Sequence, residues 1–282
     1  MLRLHFFCER LKNNIYWAKR LYFVWFFIGI SMHIYAQNND KWRAGSANAL
    51  KGKVYVLSVF IATEDNDWTN EEKLEVFKLQ REACSWLQTQ AKKYQEVVTF
   101  QEGTFGFKET MFFDEIASGS GSGNEATDWI GHVLRKAGYK KNMDFYNWVK
   151  KNTTCTQAIV LVYAHQNGIS YALPFSNEMD QEDYFNEGCL IYQYYDEAKQ
   201  KPLCAATIAH EILHTFGTWD LYATFQQSSD REKKARQIYA NDIMLRVSYT
   251  INDLAIGGLT AWLVGWRVKE EKGFNWFRPK GY

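Results

Sequence analysis

The chain is poor in proline, with three in 282 residues, and no two of its five cysteines stand at the C-x-x-C spacing of a zinc knuckle or a redox site. With 46% hydrophobic and 17% aromatic residues, this argues against collagen, disorder and a small disulfide scaffold, and for a sizeable core. Neither charge is in excess: 33 Lys and Arg face 32 Asp and Glu, a net of +1. No global field therefore recruits nucleic acid or an anionic surface. Internal repeats and interdomain linkers are also missing, and the length suits one large domain.

The balance of charge conceals a division. Residues 1–36 carry five bases (Arg3, Arg10, Lys12, Lys19, Arg20) and one acid, Glu9, so that 28 of the 33 bases and 31 of the 32 acids lie beyond them. The basic stretch leads into LYFVWFFIGISMHIYA at 21–36, an uncharged run of 16 residues ending on small Ala36 before polar QNND. Such a run is short of the ~20 residues that span a bilayer as a helix. The layout predicts a secretory signal peptide over 1–36 and an exported, secreted or periplasmic domain over 37–282. Position 34 is Ile rather than Ala, and an uncleaved signal anchor is the alternative, the one way in which a membrane enters. Export makes disulfides admissible. Cys84, Cys155, Cys189 and Cys204 lie beyond the leader and allow three pairings. Cys189–Cys204, which brackets a strand-like run and the start of a helix, is preferred to four buried thiols.

Along the exported part, 53–62 (KVYVLSVFIA) and 97–100 (VVTF) are strand-like, separated by a helix over 70–94 opened by Thr69, with Leu74, Phe77, Trp86 and Leu87 among its apolar positions. A loop with GSGSG at 119–123 and helices near 126–137 and 143–151 follow. AIVLVYA at 158–164 suits a doubly covered central strand; GISYAL (168–173) and CLIYQYY (189–195) are further strands. Strands alternating with helices predict an α/β sandwich around a largely parallel sheet.

The chemistry concentrates in 202–222, PLCAATIAHEILHTFGTWDLY. Pro202 suits the first turn of a helix. Ala205, Ala209, Ile212 and Phe216 recur at helical spacing, with Ala206, Ile208 and Leu213 widening the stripe, so the helix is expected to be buried. His210 and His214, four apart, project from one face and can ligate one ion. Glu211 points to the side, where it can hold water beside a metal without displacing it, and H-E-x-x-H is a zinc-hydrolase signature for that reason. Two His and one Glu buried on an apolar helix are costly unless paired or metal-bound. Gly217 stands where the helix must end and turn, and Asp220, three further on, can close the third ligand position.

HEILHTFGTWD resembles the extended zinc motif of the metzincin metallopeptidases, whose third ligand is usually His and in some families Asp. Asn241-Asp242-Ile243-Met244 resembles their Met-turn, which places Met244 beneath the metal. Gly168, Ile169, Ser170, Tyr171 and Ala172 resemble the edge strand that binds extended peptide, and CLIYQ the strand before the active helix. Asp220-Leu221-Tyr222 and LTAWLVGW at 259–266 are similar to the immune inhibitor A-like branch; snapalysin-like proteases share the Asp ligand. The likeness covers about residues 158–268 and is sharpest at 210–222. It implies an α/β (α+β) catalytic domain with a twisted, mostly parallel sheet, an antiparallel edge strand, a long active-site helix, and a C-terminal helix after the Met-turn. It further implies one catalytic Zn2+ on His210, His214 and Asp220, with Glu211 as general base. Departures are the absence of a long propeptide and of a cysteine switch, and LRVSY after Met244 lacks the Tyr that some families add there. Tyr222, Tyr239 and Tyr249 are candidates for stabilising the transition state by proximity in sequence alone.

Other assignments compete. A thermolysin-like scheme takes Glu232 as third ligand, but SSDREKKAR reads as a solvated helix face. His165 ends the central strand, as a substrate contact or a structural residue, and His132 is a helix-surface or packing residue. The eleven Trp are scattered, as core residues are. The expected function is an exported, monomeric zinc metalloendopeptidase acting on protein or peptide, with no nucleic-acid partner. The alternatives are a non-catalytic zinc-stabilised domain binding protein or glycan, and a zinc amidase acting on cell-wall peptides.

Overall fold

Strand β1 (Gly52–Ala62) is buried along nearly its whole length, as a β-branched, aromatic run covered on both faces should be. In the computed structural model, which describes residues 45–116, 129–173, 187–194, 202–224, 227–246, 248–266 and 268–279, it lies within a six-stranded sheet. It pairs in parallel with β2 (Val98–Phe105), short β3 (Met111–Phe112) and β4 (Gln157–Asn167). Strand β6 (Gly188–Tyr194) continues in parallel beside β4, and β5 (Tyr171–Leu173) closes this side antiparallel to β6. The order is β2-β1-β4-β6-β5, with β3 off this path. Trp42–Tyr282 forms one compact unit. The signal-peptide reading of 1–36 and the GSGSG loop lie outside the described residues.

Alternation along the strands divides the core in two. Val54, Val56 and Phe60 of β1, Ile159, Leu161 and Tyr163 of β4, and Cys189 and Ile191 of β6 face one side. Tyr55, Leu57, Val59 and Ile61, with Ala158, Val160 and Val162 and with Leu190 and Tyr192, face the other. Helices α1 (Asn70–Lys93) and α4 (Ala205–Thr215) cover the first face, α2 (Trp129–Lys136) and α3 (Asn142–Asn152) the second. Helices α5 (Ser229–Ile238) and α6 (Gly258–Leu263) complete the six α-helices among the described residues. None of these helices is long and apolar enough to cross a membrane. Thr69 and Glu72 form a capping box at the start of α1, which anchors it where the sequence placed it.

Several expectations are corrected. All four described cysteines are free and buried, so Cys189–Cys204 does not form; Cys189 lies on β6, between β4 and β5, packed into the core, and Cys204 stands at the N-cap of α4. Pro202 precedes the helix rather than opening it, because it bridges to Tyr194 and Leu203 N–H donates to the Gln193 carbonyl, 2.7 Å, keeping this segment extended beside β6. The edge strand is only Tyr171–Leu173: Gly168 and Ser170 still bond to β6 through Tyr194 O and Tyr192 N, but irregularly. Gly168 is required there, since a Cβ would stand 2.6 Å from the Tyr192 ring. Leu74 of α1 is 58% exposed, a solvent position that periodicity alone does not separate from the stripe.

Residues 45–50 strap across the start of the sheet. The Ser46 and Ala47 N–H groups each donate 2.7 Å to one oxygen of Glu187, Ala49 N–H to Gln157 Oε1, and Leu50 N–H to Val264 O. Glu187 is fully buried, and burial pushes its carboxyl up to about 8, against the pull of the two amides and more distant Lys150. An acid raised on folding holds its proton more tightly in the native state, so its contribution to stability is present below about 4.5 and is lost as pH rises through about 8. The melting temperature should accordingly fall across that window. Glu187→Gln removes this part of the slope and lowers stability at low pH, because its amide meets a backbone N–H, and the deficit narrows as pH rises through the window; parallel thermal melts across the pH range check both effects.

Candidate metal centre

Helix α4 carries the centre, and its burial explains its composition. Nine of its eleven residues are buried, His210 and Glu211 included, since the helix packs against α1, β5 and β6. His210 and His214 lie one turn apart with rings 4.6 Å from each other at 85°. The helix stops at Phe216 and Gly217, the latter at φ 89°, a left-handed conformation that glycine adopts without steric cost. Gly217 N–H donates to His214 O at 2.9 Å and Thr218 N–H to Leu213 O at 3.3 Å, the two bonds of a Schellman motif. This turn swings the chain back so that Asp220 Oδ1 comes within 3.1 Å of His214 Nε2 and 3.3 Å of His210 Nε2.

Hydrogen bonds settle what the imidazoles present. His210 Nδ1 lies 3.0 Å from the Ile243 carbonyl and His214 Nδ1 2.9 Å from the Thr218 carbonyl. A carbonyl only accepts, so each Nδ1 carries the hydrogen, and in the neutral ring each Nε2 turns a lone pair inward. The two Nε2 atoms are 3.0 Å apart. Together with Asp220 Oδ1 they form the one group of three or more such side chains among the described residues whose ligand atoms converge, all within 4.8 Å. Three lone-pair atoms so placed draw a positive charge between them. Burial disfavours a charged ring at His214, yet Asp220, by charge and hydrogen bond, outweighs it and lifts the imidazole to about 9. Burial equally favours a neutral Asp220, but both imidazoles hold its carboxyl far below the ordinary range. A zinc ion about 2.0–2.1 Å from each atom of a tetrahedral set needs them about 3.3–3.4 Å apart. The residues fit a borderline-soft divalent cation with nitrogen and carboxylate ligands.

Glu211 sits beside the group. It is fully enclosed, and its Oε2 has no hydrogen-bond partner in the protein. Burial raises its carboxyl above the ordinary value, opposed by the two imidazoles and reinforced by Asp220. Met244 is wholly buried; its sulfur accepts from Thr218 Oγ1 at 3.5 Å and its carbonyl from Leu221 N–H at 2.8 Å.

The remaining sequence candidates separate by position. Glu232 bonds to Ala223 N–H and Arg236, on a helix with only Ala235 buried, outside the converging group. His165 is committed to Asn66 O and Glu72 and rests on the Trp68 ring at 4.7 Å. His132 is exposed on α2. Of the three tyrosines, Tyr222 stacks on His210 with centroids 6.2 Å apart, Tyr239 packs on Phe277, and Tyr249 is 56% exposed. Sequence reasoning missed the two carbonyls that orient the imidazoles, because backbone acceptors carry no residue signature. It names Asp242 only as part of the turn and does not reach its hydrogen bonds, although an Asp two residues before Met244 has the spacing of an Asx-turn.

Removing Asp220 as alanine should abolish stoichiometric zinc uptake, whereas Glu232→Ala should leave it intact, with zinc content after dialysis against a weak chelator as the measure. No protein-family model matches the chain, and no curated protein matches it either.

Proposed function

We propose that this chain is an exported zinc metalloendopeptidase with the catalytic architecture of a metzincin. One observation carries this: two imidazole nitrogens and a carboxylate oxygen converge beside a buried glutamate oxygen that no protein donor satisfies. A zinc site that only stabilises a fold is closed by its ligands and has no use for such an acid. Support also comes from the parallel sheet with its antiparallel end strand against α4, the glycine turn between the second His and Asp220, and the buried methionine turn followed by α6.

His210, His214 and Asp220 would hold the ion, which when bound supplies Lewis acidity toward a peptide carbonyl and acidifies water. The protein's own groups do the rest. Glu211 accepts the proton of the attacking water and passes it to the departing amine, a transfer favoured by a carboxyl whose burial brings its affinity for protons nearer neutrality. Ile243 O and Thr218 O hold the imidazoles in orientation with the hydrogen on Nδ1, so that Nε2 of each ring is the atom offered to the ion. Beside α4, β5 is the last strand on its side among the described residues, and its backbone suits alignment of an extended peptide by strand addition.

Purified protein should contain one zinc and cleave members of a broad peptide library. Glu211→Gln should retain the zinc and lose about 10²–10⁴-fold in cleavage rate. Stoichiometric zinc without cleavage of any peptide would sink the endopeptidase assignment; release of amine from cell-wall peptides alone would move it to an amidase.

A further inference from the structure

Asp242 is buried, 2% exposed, on the turn that ends in Met244. Its carboxylate is saturated by neutral donors. Oδ1 accepts from Met244 N–H at 2.8 Å, and Oδ2 from Gly257 N–H at 2.7 Å and Thr260 Oγ1 at 2.9 Å. Two of these donors belong to the start of α6. The approach is so close that a Cβ on Gly257 would stand 2.8 Å from Oδ2. One carboxylate thus ties the turn to α6.

The same turn touches every arm of the centre. Ile243 O orients His210. Met244 Sδ receives Thr218 Oγ1, and the carbonyl of that same threonine orients His214. Met244 O holds the N–H of Leu221, the neighbour of Asp220. The turn therefore supports all three ligand residues, His210 directly and His214 and Asp220 through one neighbour each.

We propose that Asp242 is the positioning residue of the metal centre, setting its geometry from outside the ligand group by clamping the methionine turn to α6. This rests on the metal-binding reading above. A carboxylate serving stability alone would change how firmly the protein folds but not how the folded protein holds a cation, and the test separates the two.

Co2+ is the probe, because its visible absorption reports ligand geometry directly. Asp242→Asn keeps the shape but sets an amide NH2 against one of the three donors. Folded by circular dichroism, it should bind Co2+ about 10-fold more weakly, as loss of an outer support for metal ligands does, with a shifted Co2+ spectrum. Thr260→Val, which removes one donor, should move affinity and spectrum in the same direction by less. Ser58→Ala, which loosens the core through the Ser58 Oγ to Gln80 bond of 2.7 Å, should lower the melting temperature and leave both Co2+ readouts unchanged. Wild-type affinity and spectrum in folded Asp242→Asn overturn the proposal; if that variant does not fold, the same result in Thr260→Val does so. Wild-type protein that takes up no Co2+ or Zn2+ overturns the metal reading itself.

Discussion

Two hydrogen bonds from imidazole to backbone carbonyl decide the character of the candidate centre. With Nδ1–H of His210 given to Ile243 and that of His214 given to Thr218, neither ring can turn a proton inward without becoming charged. The inward nitrogens and Asp220 then form a concentrated source of lone pairs, and a cation becomes the stabilising occupant. Were either carbonyl displaced, the ring could flip or change tautomer, and the convergence would be lost although every side chain remained.

One of those carbonyls is held by the motif's own glycine turn and the other by a turn outside the motif. The Thr218 carbonyl depends on the helix terminating at Gly217, where a side chain would be strained by the positive φ. The Ile243 carbonyl depends on the turn that Asp242 closes. Both rest on a sheet whose two faces are independently packed, with α4 wedged between β6 and α1. Interiors packed at crystal-like density resist small displacements, and a site that tolerates little misplacement is expected on such a scaffold.

Burial also sorts the titratable groups. Glu187 and Glu211 are both enclosed carboxyls raised by desolvation, yet their surroundings differ. Glu187 has each oxygen on a backbone amide of the strap, whereas Glu211 keeps one oxygen unpaired beside the three converging ligand atoms. A fully satisfied buried acid is a structural clamp. An unsatisfied one is a cost that a fold tolerates where chemistry uses it.

Local periodicity determined much of this protein. The apolar stripe of α4, the four-residue spacing of the histidines, the adjacent Glu211, and the interval to Gly217 and Asp220 are all legible, because each depends on neighbours within a few turns of chain. The alternation of strands and helices was legible for the same reason, and so was the capped start of α1. Only the tertiary structure decided that the cysteines remain thiols, that Pro202 runs extended, that the edge strand is three residues long, and that Glu187, Asp242 and the Ile243 carbonyl have the roles they have. Glu187 meets Ser46 across 141 residues, Ile243 meets His210 across 33 and Asp242 meets Gly257 across 15, all brought close by packing of the whole core, and such meetings leave no period or spacing in the sequence to read.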